Sequence, residues 1–294
     1  MTADLDFSAT PGPMTATDHI DPALLAGLPT AATGLCKVSA GLFVHEYMAS
    51  MYGVPNAAER LDELEKRTIG ELVGLLVSLD GVRPLSEPRA PARRAIGNCR
   101  QFSLMTCALL RRAGIPARVR AGFADYFGSD EWTDHWIIER WDTDRARWVR
   151  TDPQLDEIQR QQFGYTFDPM HVPAGRFLTG AEAWQRCRRG DDAPQRFGIM
   201  DMRGLWFIAG SVIRDLAALN KVETHVWDIW GVMAQMMFTE LTEEQRTLID
   251  RIAQTVVTGS LADIRQVYDA EGIRVPGAVT SHRFGRTIAI EAAA

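Results

Sequence analysis

From Pro22 to about Leu79 apolar residues recur at helical spacing. The clearest run is Asn56 to Leu79, where Leu61, Leu64, Ile69, Leu72 and Leu76 trace one face. Ahead of it, residues 1–20 show no period and read as a flexible tail. Behind it, Arg83–Ala95 carries three prolines and reads as a connector. Cys99–Ala113 is apolar nearly all round (Phe102, Leu104, Met105, Cys107, Ala108, Leu109, Leu110), the signature of a buried helix. Asn98 is a good N-cap for it, with Gln101 at capping-box spacing; Gly114 and Pro116 supply the stop.

After Pro116 the period changes to two. Ala117–Phe127, His135–Trp141 and Trp148–Asp152 are rich in β-branched and aromatic residues and predict antiparallel strands. Beyond Met200 helical spacing returns over about 203–220, 226–238, 242–258 and 260–271. Thr242 and Gln245 open the third of these as a capping box. The order of elements predicts an α+β fold: a central helix on a small antiparallel sheet, with helical extensions at both ends. Serially, it divides into a tail (1–20), a helical region with its connector (21–95), a catalytic core (96–200) and a C-terminal helical extension (201–294).

Composition narrows the class. The 294 residues are 46% hydrophobic and 24% charged, with a net charge of −6. That balance, without a Lys/Arg stripe, argues against a nucleic-acid surface. No stretch is long and apolar enough to predict a membrane span. The N-terminus lacks the basic-then-apolar order of a signal peptide. Four scattered cysteines (Cys36, Cys99, Cys107, Cys187) and no Cys-x-x-Cys pair argue against a disulfide framework or that kind of zinc site. Phosphate-loop and dinucleotide glycine motifs are missing, and His45-Glu46 lacks the second histidine of a zinc helix. The expectation is a cytoplasmic protein with no metal and no cofactor, acting on a small-molecule or peptide acyl substrate; oligomeric state stays open.

The chemistry concentrates between residues 98 and 153. A cysteine in the first turn of a helix gains thiolate character from the partial positive charge there. Cys99 has that place, whereas Cys36, Cys107 and Cys187 read as ordinary buried cysteines. His135 opens one predicted strand and Asp152 closes the next. With Asp142–Arg145 as the hairpin loop, Trp141 pairs with Ala146 and His135 faces Asp152 directly. A register shifted by two makes them a diagonal pair, about 7–8 Å apart along the backbone and still within side-chain reach. Both registers keep imidazole and carboxylate on one face; a one-residue slip separates them. A nucleophile, a base and a group that orients the base are the requirements of covalent acyl transfer.

Gly97-Asn98-Cys99, the run Leu109-Leu110-Arg111-Arg112-Ala113-Gly114-Ile115-Pro116-Ala117-Arg118, Asp134-His135-Trp136 and Trp148-Val149-Arg150-Thr151-Asp152-Pro153 together resemble the core of the transglutaminase-like (papain-like) superfamily. The resemblance covers about residues 95–155. It implies Cys99 as nucleophile, His135 as general base and Asp152 as orienter. The whole chain is also similar to bacterial proteins carrying this core, including the stretch Asp201-Met202-Arg203-Gly204-Leu205-Trp206. Asp134 stands where the family usually places a small residue. No tryptophan precedes Cys99 and Arg100 follows it, which disfavours protein cross-linking and arylamine acetylation.

The backbone N–H of Cys99 is the expected oxyanion donor. Gln101, Trp132 and Trp136 are the candidate substrate-binding residues, although Gln101 also suits a cap and the tryptophans also suit packing. His225, with Glu223 and Asp228, reads as a polar cluster or a cap. The reaction expected first is hydrolysis of an amide, ester or thioester through an acyl-Cys99 intermediate. Amide formation with an amine acceptor is the alternative, with the apolar helices after Met200 (Trp206, Phe207, Trp227, Trp230, Met233, Met236, Met237, Phe238) as a cover that excludes water. A catalytically silent binding scaffold is the third reading.

Overall fold

In the computed structural model, which describes residues 3–54, 56–128, 130–270 and 272–290, the long N-terminal helical stretch is broken in two. Ala57–Glu65 is a kinked 3₁₀ segment, and a separate α-helix covers Ile69–Asp80. Thr68 forces the break, because its side chain caps Glu71 while Glu71 caps back, and such a box starts a helix rather than continuing one. The chain divides into two compact units that interleave along the sequence, residues 1–119 with 137–172 and residues 120–136 with 173–294. The serial division expected from the sequence does not anticipate that interleaving.

The first unit contains α1 (Ala3–Ala9), α2 (Ala32–Ala40), β1 (Phe43–His45), α3 (Ile69–Asp80), β2 (Ala95–Gly97), α4 (Cys99–Arg112), the start of β3 (Ala117–Ala124), the end of β4 (Trp132–Asp142), β5 (Arg147–Thr151) and α5 (Glu157–Phe163). The expected tail is therefore structured. Leu5 and Met14 are buried, and Thr15 Oγ1 accepts from Arg111 Nη1 at 2.8 Å. A short apolar anchor carries too little period to be legible in the sequence.

Helix α4 packs against α1, α2, α3 and the parallel pair β1–β2. All but its last residue are buried, as its apolar pattern predicts. Two arginines survive this burial because main-chain carbonyls receive them. Arg100 donates to the carbonyls of Lys66 and Arg67, and Arg111 Nε to that of Ala117 at 3.1 Å. The helix ends as read. Gly114 has φ +74°, and the N–H groups of Gly114 and Ile115 return to the carbonyls of Arg111 and Leu110, a Schellman motif.

The second unit holds the end of β3, the start of β4, β6 (Phe177–Thr179), α6 (Gly180–Arg189), β7 (Phe197–Ile199), β8 (Met202–Arg203), α7 (Leu205–Leu219), β9 (Asp228–Ile229), α8 (Gly231–Met236), α9 (Glu243–Thr258), α10 (Leu261–Tyr268), β10 (Ala278–Ser281) and β11 (Arg286–Ala289). Here β6 pairs antiparallel with β3, and β7 pairs parallel with β4. Helix α7 is surrounded by α6, α8, α9 and α10. The approach of α6 to α7 requires Gly180, where a Cβ would come within 2.6 Å of the Ser211–Val212 backbone. Inside, Arg120 holds Asp215 with both ends of its guanidinium, at 2.9 and 2.7 Å.

One correction falls here. The helix expected over 226–238 is instead the short strand β9 followed by α8, because β9 pairs with β10 of a C-terminal hairpin that periodicity did not reveal. Trp230, Met233 and Met236 of that segment are buried inside the second unit. The capping box at Thr242 and Gln245 stands as read.

Candidate active site

Cys99 follows directly on β2, and Asn98 between them caps α4. The Asn98 side chain accepts from Arg100 N at 3.1 Å, and Gln101 Oε1 accepts from Asn98 N at 3.1 Å. Cys99 is thereby fixed in the first turn of a 14-residue helix, the place where the helix dipole favours an anion. Its side chain is 5% exposed.

The register of β4 and β5 is the shifted one. Trp141 pairs with Trp148 and Ile138 with Thr151, so the loop is 143–146 rather than Asp142–Arg145. Ala146, with φ +47°, makes the turn. Continued by one step, this ladder sets Asp152 opposite Ile137. Alternation along β4 puts His135 on the face of Ile137, one pleat further on. The register expected first, Trp141 with Ala146, is thus replaced by the one shifted by two. The reason is that Asp142 stays in the ladder with Arg147 while its carboxylate accepts from the N–H and guanidinium of Arg145, at 3.1 and 2.8 Å.

His135 is 2% exposed. Its ring meets Tyr126 and Phe127 edge-to-face, with centroids at 5.9 and 4.9 Å, which restricts the imidazole plane. Asp152 is buried and held by main chain on both sides. Its own N–H donates to Pro169 O at 2.8 Å, and its Oδ1 accepts from Gln154 N at 3.0 Å. Gln154 is held in turn by Gln159, whose Nε2 donates to Gln154 O and to Tyr52 Oη, both at 3.0 Å. Tyr52 Oη donates to Asp156 Oδ2 at 2.7 Å. Sequence reasoning missed Tyr52, Gln154 and Gln159. Only the Asp152-Pro153-Gln154 turn carried a local signal, since an aspartate often accepts from the N–H two residues on.

The other candidates are placed otherwise. Gln101 is fully buried with both ends of its amide engaged, Oε1 as a cap and Nε2 donating to Leu64 O at 3.0 Å. It serves the fold of the helix start. Trp132 is the first residue of β4, and its ring stacks on Phe197 at 5.7 Å and 7°. Trp136 is 1% exposed, on the face of β4 opposite His135. His225 is a buried turn residue, its N–H donating to Asp228 Oδ2 at 2.8 Å. His45 caps Tyr47 N.

The remaining thiols differ from Cys99 in setting. Burial pushes Cys36 up to about 12, with Arg140 opposing and Asp152 adding to the rise. Cys187 is also pushed up to about 12 by burial, reinforced by Asp192. Cys107 is buried in the middle of α4. Among the described residues no group of three His, Cys, Asp or Glu side chains is disposed to hold a metal ion, and no helix is long and apolar enough to cross a membrane.

A buried helix that opens on a cysteine, followed by antiparallel strands carrying a histidine and an aspartate, is the order of parts of a papain-like α+β fold. Residues 84–153 match the family model of the transglutaminase-like superfamily, whose members are generally cysteine-based enzymes. The match spans the whole run from the connector through α4, β3, β4 and β5 to Pro153. A comparison with curated proteins gives no match. Among solved structures, one from Cytophaga hutchinsonii, called "a Putative Cysteine Protease", is similar at 16% identity with a TM-score of 0.21; the match covers 60% of this chain and 51% of that one.

Proposed function

We propose that this protein is a cysteine-dependent acyl-transfer enzyme whose nucleophile is Cys99, with His135 as general base and Asp152 as the group that orients it. The observation that supports this reading is the β4–β5 register, Ile138 opposite Thr151, which is the shifted one in which alternation is expected to keep imidazole and carboxylate on one face. The capped helix start at Cys99 supports the nucleophile.

In this reading the Cys99 thiolate attacks the carbonyl carbon of an amide, ester or thioester. A C–S bond forms, and the oxyanion is received by the main-chain N–H of Cys99. His135 passes the thiol proton to the leaving group as the old bond breaks. Water then attacks the thioester, with His135 taking its proton, and the released acid restores the thiol. Hydrolysis is the simpler outcome because it needs no acceptor site. The test is intact-mass analysis after incubation with a panel of amide, ester and thioester donors. An acyl adduct that maps to Cys99 and vanishes in Cys99→Ala is the expected result; an adduct elsewhere, or one that survives the substitution, overturns the assignment.

A further inference from the structure

Strands β1 and β2 run parallel, so both end at the same edge. His45, the last residue of β1, pairs there with Gly97, two residues before Cys99. Phe43 shows which face of β1 turns to α4, because its ring meets that of Phe102 at 5.4 Å. Phe43 pairs with Ala95, upstream of Cys99, so α4 folds back over the strands from its first residue. By alternation His45 shares the face of Phe43, about 7 Å further toward the strand end. Cys99 precedes Phe102 by three residues, about 4.5 Å toward that same end. The two steps set His45 level with the first turn of α4.

The cap that His45 forms decides its tautomer. His45 opens the 3₁₀ segment Glu46–Tyr52, and its Nδ1 accepts from the N–H of Tyr47 at 3.3 Å. A neutral imidazole that accepts at Nδ1 carries its proton on Nε2, so the far end of the ring is a donor. Capping alone is served by Ser, Thr, Asp or Asn, the usual choices. What a histidine adds is this second, donating nitrogen. The residue is 8% exposed, so a charge beside it is poorly screened by water. Gln101, the side-chain amide three residues past the helix cap, already gives its Nε2 hydrogen to Leu64 O at 3.0 Å.

We infer that His45 is a catalytic residue, the second oxyanion donor, whose Nε2–H receives the oxyanion together with the main-chain N–H of Cys99. The inference rests on the acyl-Cys99 reading proposed above. A single N–H leaves the oxyanion partly unpaired, and a side-chain donor, histidine among them, is an established complement to a main-chain one. As the thiolate adds to the carbonyl carbon, the C–S bond forms and the C=O π pair moves onto oxygen. Nε2–H and the Cys99 N–H hold that charge without giving up a proton. When the C=O bond re-forms, the leaving group departs with the proton from His135. His45 stays neutral throughout.

The experiment compares two reactions of Cys99 in the full chain. Acylation by p-nitrophenyl acetate passes through an oxyanion, and alkylation by iodoacetamide does not. Both rates are followed by peptide mass in the wild type, His45→Ala and His45→Gln. His45→Ala should slow acylation about 10²-fold or more while alkylation stays within about threefold. His45→Gln keeps an N–H donor and should recover acylation to within about tenfold of the wild type. Acylation of His45→Ala at the wild-type rate overturns the inference and leaves Cys99 as nucleophile. Equal slowing of both reactions also overturns it, because His45 then acts on the thiol or the fold. A wild type that is alkylated at Cys99 but never acylated there overturns the acyl-transfer reading, and this inference with it. Should His45→Ala not fold, His45→Leu, which fills the space without a donor, takes its place in the same comparison.

Discussion

The backbone N–H of Gln154 donates to Oδ1 of Asp152 at 3.0 Å, and Gln154 is itself held by Gln159 and, through it, by Tyr52. Asp152 is thus positioned by a turn that other buried side chains brace. If Asp152 orients His135, Asp152→Asn should lower kcat by about 10²–10⁴-fold with a far smaller effect on KM, because the wrong imidazole tautomer is then favoured. Gln154→Ala, which loosens the brace but keeps the N–H, should cost about tenfold at most. Steady-state kinetics on both variants checks this; an unchanged kcat in Asp152→Asn removes the aspartate from the mechanism.

Iodoacetamide at neutral pH should modify Cys99 before any other thiol. Cys36 and Cys187 are both held near 12, and Cys107 sits in the middle of a buried helix. Peptide mapping over a time course gives the order. Cys99→Ala should abolish turnover while costing about 1 kcal/mol in stability, the usual scale for a single substitution. A variant that turns over normally would falsify the nucleophile.

Asp134 should leave a mark on stability against pH. Burial raises it from 3.8 to about 6, with the charges of Arg214 and His135 opposing. A carboxyl whose folded value lies above its unfolded value favours the folded state below the unfolded value, and that advantage is lost as pH rises through 6. The rise corresponds to at most about 3 kcal/mol. In urea unfolding between pH 4 and 8 (about the range that brackets both values), the wild type should lose stability relative to Asp134→Asn as pH increases. A difference independent of pH means the carboxyl titrates normally.

Hydrolysis and amine transfer share the acyl-enzyme and part only at deacylation. With any donor that forms the adduct, rising concentrations of primary amines should leave the amide-to-acid ratio near zero. Saturation of amide formation by one amine at low concentration would establish an acceptor site and make the enzyme a transferase. The burial of Trp230, Met233 and Met236 within their own unit favours hydrolysis, since those side chains are engaged in packing.

The sequence by itself determined the central helix and both its ends, because Asn98, Gln101, Gly114 and Ile115 act within one or two turns of the backbone. It also determined the alternation of β4 and β5, on which the expectation that His135 and Asp152 share a face rests, since alternation is a local property. Which of two registers holds was a tertiary decision: the Asp142–Arg147 pair moves the four-residue loop one position along the chain, and loop length alone does not choose between the two. The break at Thr68 was written as a capping box yet hidden by a continuous leucine period. The anchoring of residues 3–15, the brace from Tyr52 to Asp152 and the pairing of β9 with β10 were not legible at all. Each joins residues tens of positions apart, and no local propensity encodes a contact whose partner arrives only when the chain folds.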